Sequence, residues 1–149
     1  MASFAEIIAE SFYSTVNLTW NLSGSNRATA SFSVESVAVQ VRFEQEELGA
    51  AWNISFDVER GELRQAVHLS FHIFNGVFQA VREFLEVRQP ELLVFATKRE
   101  ALADIYQTYL RRERSTIERL GYQLEGPQRV EPYVEYTLRR IVPSKWVSS

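Results

Sequence analysis

His68 and His72 stand four residues apart in the run His68-Leu69-Ser70-Phe71-His72. On a helix that spacing turns two imidazoles to one side, the geometry of a two-histidine metal site. A metal needs at least one more ligand, and the intervening Leu-Ser-Phe lacks the glutamate of a His-Glu-x-x-His motif. Both histidines border an apolar stripe, so residues at the margin of a packed face account for them, and no metal site is assigned. The second cluster is basic: Arg111, Arg112, Arg114 and Arg119, followed later by Arg139 and Arg140. Such a set could meet phosphates. Glu113 and Glu118 interrupt it, and no aromatic platform lies between the arginines for bases to stack on. A solvated helix face is the simpler reading, which leaves nucleic acid as the third-ranked partner.

What must position these side chains is one ordinary domain. A chain of 149 residues with 46% hydrophobic and 13% aromatic content can bury a single core. No repeat, linker or low-complexity tract divides it, so residues 1–149 are expected to form one domain. The absence of cysteine excludes disulfides, thiol catalysis and thiolate metal sites. The N-terminus has no basic stretch and meets Glu6 and Glu10 early, unlike a secretory signal. No run reaches the ~20 apolar residues of a membrane helix. A cytoplasmic protein without membrane contact is therefore expected, in which the sequons at Asn17, Asn21 and Asn53 carry no glycan. The net charge of −3 argues against general affinity for nucleic acid, although it is unevenly placed. Residues 1–97 carry 6 basic and 12 acidic groups, residues 98–149 carry 10 and 7.

Hydrophobic spacing divides the chain into elements. Phe4, Ile7 and Ile8 predict a short N-terminal helix. Val16, Leu18, Trp20 and Leu22 alternate with polar residues and predict a half-buried strand, closed by the turn residues Gly24-Ser25-Asn26. Ala30, Phe32 and Val34 continue on even positions. The apolar parity then changes at Glu35-Ser36 to Val37, Val39, Val41 and Phe43, which predicts a tight turn in preference to a bulge. Trp52, Ile54, Phe56 and Val58 form the fourth run. Val67, Phe71, Phe74, Phe78, Val81 and Leu85 then make one helical stripe within residues 63–87. Gly76 sits inside it, where a glycine costs about 1 kcal/mol against alanine and marks a close backbone approach, either helix to sheet or between copies. Leu92 to Ala96, apolar on both sides, reads as an interior strand. A long helix over residues 98–120 follows, with Leu102, Ile105 and Tyr109 inward and Gly121 as its stop. Strands over residues 122–124 and 133–141 flank a turn at Gly126-Pro127. A strand-helix-strand unit over residues 51–96 makes its strands parallel if they are neighbours. The fold class is α+β, a mixed, mostly antiparallel sheet with two long helices.

The order strands, helix, strand, helix, strands resembles that of the GCN5-related N-acetyltransferases (GNAT), in the arrangement ββββ-α-β-α-ββ. Ile105-Tyr106 and Leu120-Gly121-Tyr122 are similar to the Leu-Tyr and Gly-Phe markers of that family. The run from Pro90 to Thr97, followed by a helix carrying Tyr106, also resembles small proteins of tailed bacteriophages and prophages. The resemblance covers most of residues 28–141, by order of elements more than by residue identity.

The resemblance implies a coenzyme A loop of the form Gln/Arg-x-x-Gly-x-Gly/Ala before the first long helix, where backbone N–H groups hold the pyrophosphate. Here Val58-Glu59-Arg60-Gly61-Glu62-Leu63-Arg64-Gln65 stands in that place, with one glycine and two acids. Arg60, Gly61 and Arg64 are the candidate cofactor-binding residues of this degenerate loop. The resemblance also implies a tyrosine that protonates a departing thiolate, for which Tyr106 and Tyr109 are the candidates. Glu59 or Glu62 is implied as a base for an amine. A core tyrosine with its hydroxyl at the rim explains the same residues. The leading expectation is a phage-encoded accessory protein that uses a GNAT-like scaffold to bind an unidentified host or phage protein, without a cofactor. The alternative is a divergent N-acyltransferase using acetyl-coenzyme A. Open sheet edges leave a homodimer available.

Overall fold

The computed structural model describes residues 16–141 except 23, 36, 48 and 61–69, and excludes the side chains of 59, 60, 70 and 71. Seven strands are β1 (Thr19–Asn21), β2 (Arg27–Val34), β3 (Val37–Gln45), β4 (Ala51–Arg60), β5 (Leu92–Thr97), β6 (Tyr122–Val130) and β7 (Tyr133–Arg140). The described helices are α1 (Ser70–Arg88), α2 (Glu100–Arg112) and α3 (Arg114–Arg119). The strands form one sheet in the order β1-β2-β3-β4-β5-β7-β6, with β4 and β5 parallel and β1–β2, β5–β7 and β6–β7 antiparallel. The element order is ββββ-α-β-α-α-ββ, the mixed, mostly antiparallel α+β class expected. The expected N-terminal helix, and residues 63–69 of the expected long helix, lie outside the described residues. Contacts gather the chain into two compact units, Met1–Arg42 with Ser55–Glu83 and Phe43–Ile54 with Phe84–Ser149.

In the first unit the alternation of β2 and β3 buries Ala28, Ala30, Phe32, Val37, Val39 and Val41. Glu35, at φ +54°, turns the chain between these strands, so the parity change is a tight turn. The stripe on α1 inserts Phe74, Val77, Phe78 and Val81. Phe56 meets Phe74 edge to face, with ring centroids 5.4 Å apart. Gly76 is the close approach foreseen: a Cβ there would lie 2.4 Å from the Phe32 ring, so the glycine serves a helix-to-sheet contact. The first strand is shorter than its alternation predicts. Only Thr19–Asn21 pair, with Thr29–Ser31, because the backbone of Val16 bonds to Gln79 of α1 instead.

In the second unit Ala51–Ile54 run parallel to Leu92–Phe95, and β5 continues antiparallel to β7 from Leu92↔Arg139 to Thr97↔Val134. This register puts Trp52, Leu93 and Leu138 on one face with Ile54, Phe95 and Tyr136. Phe84 covers part of that face, stacked on Phe43 at 4.1 Å and edge to face with Trp52 at 5.0 Å. Such aromatic pairs add about 0.5–1.5 kcal/mol beyond burial. Helix α2 packs on β5 and β7, and α3 on β6.

Three expectations are corrected here. The long helix over 98–120 is broken at Glu113, whose φ −88° and ψ +8° leave the helical region while its N–H caps the carbonyls of Tyr109 and Arg111. Its buried face is Ala103, Tyr106, Tyr109 and Leu110, with Leu102 and Ile105 only half-buried. Gly126 and Pro127 lie inside β6 at a register shift, and the β6–β7 reversal falls at Glu131-Pro132. Gly126 takes φ +110°, and a Cβ on it would stand 2.8 Å from the carbonyl oxygen of Glu135. Gly121 is the helix stop expected, at φ +91° with its N–H on the carbonyl of Glu118.

Candidate functional site

Two residues, Lys98 and Arg99, join β5 to helix α2, and the Thr97 hydroxyl accepts the N–H of Arg99 at 3.0 Å across that junction. This short connection sets the first turns of α2 directly on β5. Tyr106 then meets Phe95 edge to face at 5.4 Å, and Phe95 is the register partner of Ile54 in β4. Tyr106 therefore packs on β5, on the side of the sheet where the helix also meets β7. It is 3% exposed, and burial alone pushes the phenol up to about 12. Among the described residues no polar group offsets that shift, so the hydroxyl keeps its proton at any physiological pH.

Tyr109 differs in its surroundings. Its ring lies under the Arg112 guanidinium at 4.4 Å. Burial raises its pKa, and the charge and hydrogen bond of Arg112 pull it back in part. The two candidates thus separate into one apolar phenol and one paired with a cation. Tyr136 of β7 completes the polar surroundings of α2. With its amide turned to satisfy both ends, Gln107 donates to the Tyr136 hydroxyl at 3.0 Å and accepts from both terminal nitrogens of Arg111 at 3.1 Å. Burial raises Tyr136, Arg111 lowers it and Asp104 raises it.

Gly61, Glu62, Arg64 and His68 lie outside the described residues, as do the side chains of Glu59 and Arg60. His72 is half-buried on α1, and no three potential ligands gather into a metal site among the described residues. The arginines of the basic cluster have local partners. Arg112 approaches Glu113 at 3.8 Å, Arg114 pairs with Glu118 and Arg139 with Glu125, both at 3.1 Å. Arg119 donates to Thr116, and Arg140 to the carbonyl of Gln89.

Two participants were not singled out from the sequence. Tyr136 alternates with Val134 and Leu138 and so reads as core, with nothing to announce the partner of its hydroxyl. Gln107 lies beside Tyr106 in the chain, and its role depends on β7 reaching α2, a contact between residues 29 apart.

No protein-family model matches the chain, and no curated protein matches it. Among solved structures the chain is similar to RimL, a ribosomal L7/L12 alpha-N-protein acetyltransferase in complex with coenzyme A, at 11% identity and a TM-score of 0.38. The match covers 78% of this chain and 63% of that one, so the chain spans less than two thirds of the length of RimL.

Proposed function

We propose that the protein is an acyl-coenzyme A dependent N-acyltransferase of GNAT-like architecture. The observation that supports this reading is Tyr106, a buried, protonated phenol set on Phe95 of the interior strand β5. Acyl transfer to an amine leaves a thiolate that must be stabilised or protonated as the carbon–sulfur bond breaks. An ordinary thiol has a pKa near 8.5, so a phenol at about 12 is the weaker acid. Full proton transfer from Tyr106 would run uphill. Its role is then to donate a hydrogen bond to the developing thiolate, which needs only that the hydroxyl stay protonated. In this reading Arg60, Gly61 and Arg64 hold the pyrophosphate, Glu59 or Glu62 takes the amine proton, and Tyr109 supports the helix face. When bound, acetyl-coenzyme A supplies the activated acyl group. Tyr106→Phe is expected to lower turnover about 10²-fold, within the range lost with one such donor, while leaving acetyl-coenzyme A affinity unchanged. Unchanged turnover removes Tyr106 from the mechanism.

A second reading, a phage-type accessory protein in the cytoplasm acting by protein binding, is favoured by the sequence around Gly61. Glu59 and Glu62 flank that single glycine, and two carboxylates repel a pyrophosphate. Calorimetric titration with acetyl-coenzyme A separates the two. Saturable micromolar binding supports the transferase, and silence at millimolar ligand supports the binding protein.

A further inference from the structure

Gln79 of α1 holds the backbone of Val16 on both sides: the Val16 N–H donates to Oε1 and Nε2 donates to the Val16 carbonyl, each at 2.9 Å. The amide thereby takes the place that a neighbouring strand would fill. Glu83, one turn on, fixes this clamp by accepting from Gln79 Nε2 at 3.2 Å and from the Trp20 indole N–H at 3.2 Å. As a result β1 pairs with β2 only from Thr19↔Ser31 to Asn21↔Thr29. Continuing that register would set Leu18 opposite Phe32, Asn17 opposite Ser33 and Val16 opposite Val34. Among the described residues no strand covers that outer edge of β2. A groove of about 400 Å³ lies there, lined by Asn17, Thr19, Ser31, Ser33 and Ala38 with Phe32 and Val39, and no charged side chain borders it.

The sequence matches the empty register. Side chains alternate across a strand, so extending β1 would put Val16 and Leu18 on the side of Trp20, Ala30 and Phe32. Asn17 would face Ser33 beside Thr19, among the small polar groups of the groove. The alternation from Val16 to Leu22 describes a seven-residue strand, of which three residues are paired. We propose that the outer edge of Phe32–Val34 is a strand-acceptor site for the chain's own Val16–Leu18, held away from it by Gln79. The segment exchanges the two amide bonds for ladder bonds. In the clamped state no described residue fills the groove, and in the paired state Val16–Leu18 fill it.

The chain contains no cysteine, so an introduced pair reports this exchange alone. Residues directly opposite across a ladder have Cβ atoms ~4.5–5.5 Å apart and can form a disulfide, whereas residues on opposite faces cannot. The full chain carrying Asn17→Cys and Ser33→Cys is oxidised slowly and its intramolecular disulfide followed with time, beside a control with Leu18→Cys and Ser33→Cys. Adding Gln79→Leu removes both clamp bonds and is expected to speed the 17/33 disulfide about tenfold, leaving the control unreactive. Equal rates with and without Gln79→Leu overturn the proposal, as do disulfide-linked dimers in place of the intramolecular bond, which would make a second copy the occupant. Should Gln79→Leu unfold the protein, the two pairs are compared with Gln79 intact. The 17/33 pair is then expected to close and the 18/33 pair not, and equal closure of both overturns the proposal.

Discussion

At the scale of single residues, Gly76 shows how a contact can outweigh a propensity. Alanine is favoured over glycine inside a helix by about 1 kcal/mol. Here the added methyl would lie 2.4 Å from the ring of Phe32, which is 5% exposed and flanked by the buried Ala30. Overpacking of a filled site costs about 1–3 kcal/mol, so Gly76→Ala is expected to destabilise the protein by about 1 kcal/mol net. Urea unfolding measures it, and an increase in stability would mean that Phe32 can move. The four tyrosines buried among the described residues make a related point. Tyr122 donates to the carbonyl of Pro90 at 2.6 Å, Tyr136 is met by Gln107, Tyr109 lies under Arg112, and Tyr106 meets the ring of Phe95. Identical side chains thus divide into structural ties and one candidate for chemistry by what their hydroxyls meet.

At the scale of elements, glycine acts through the backbone. Gly126 combines φ +110° with a Cβ position 2.8 Å from the Glu135 carbonyl, at the point where β6 changes register. Gly126→Ala is expected to cost about 1–3 kcal/mol through that strained conformation and to loosen the β6–β7 pairing beyond Glu125, seen as faster amide exchange in Gln128–Val130. The same stretch explains what the sequence withheld. Gly-Pro is strong turn chemistry, and only the pairing of Gln128 with Glu135 places it within a strand. The run Arg111-Arg112-Glu113-Arg114 is good helix material throughout, so the break at Glu113 had no local signal. The inward face of α2 lay one residue away from the expectation because Leu102 and Ile105 are more apolar than Ala103, while β5 and β7 receive the smaller residue. The alternating runs of β2, β3 and β4 were legible almost to their ends, whereas that of β1 overran its three paired residues; the parallel β4–β5 pair followed from crossover length. For the candidate site, Tyr106 and Tyr109 were named through the family resemblance. Their separation into an apolar and a cation-paired phenol required the packed structure.

For the whole molecule the buried phenols set a limit in alkali. Burial pushes Tyr106 up to about 12, and Tyr122 up to about 12 against the pull of Arg140. Below pH 10, the ordinary value, the phenols are neutral in folded and unfolded chains alike, and this contribution to stability is fully present. Between pH 10 and about 12 the unfolded chain ionises while the folded one cannot, so stability falls as pH rises. A Tm that is level up to pH 10 and then drops is expected, with a shallower drop in Tyr106→Phe; a level Tm to pH 12 would mean that neither ring is shielded. The two compact units also differ in a way that light can read. Trp20, half-exposed, hangs its indole on Glu83 in the first, and Trp52, 6% exposed, lies against Phe84 under Arg88 in the second. An indole in wet surroundings emits at longer wavelength than one in a dry core, so once the third tryptophan is removed by Trp146→Phe the protein's own fluorescence carries two colours, and the loosening of either unit can be followed without attaching a dye.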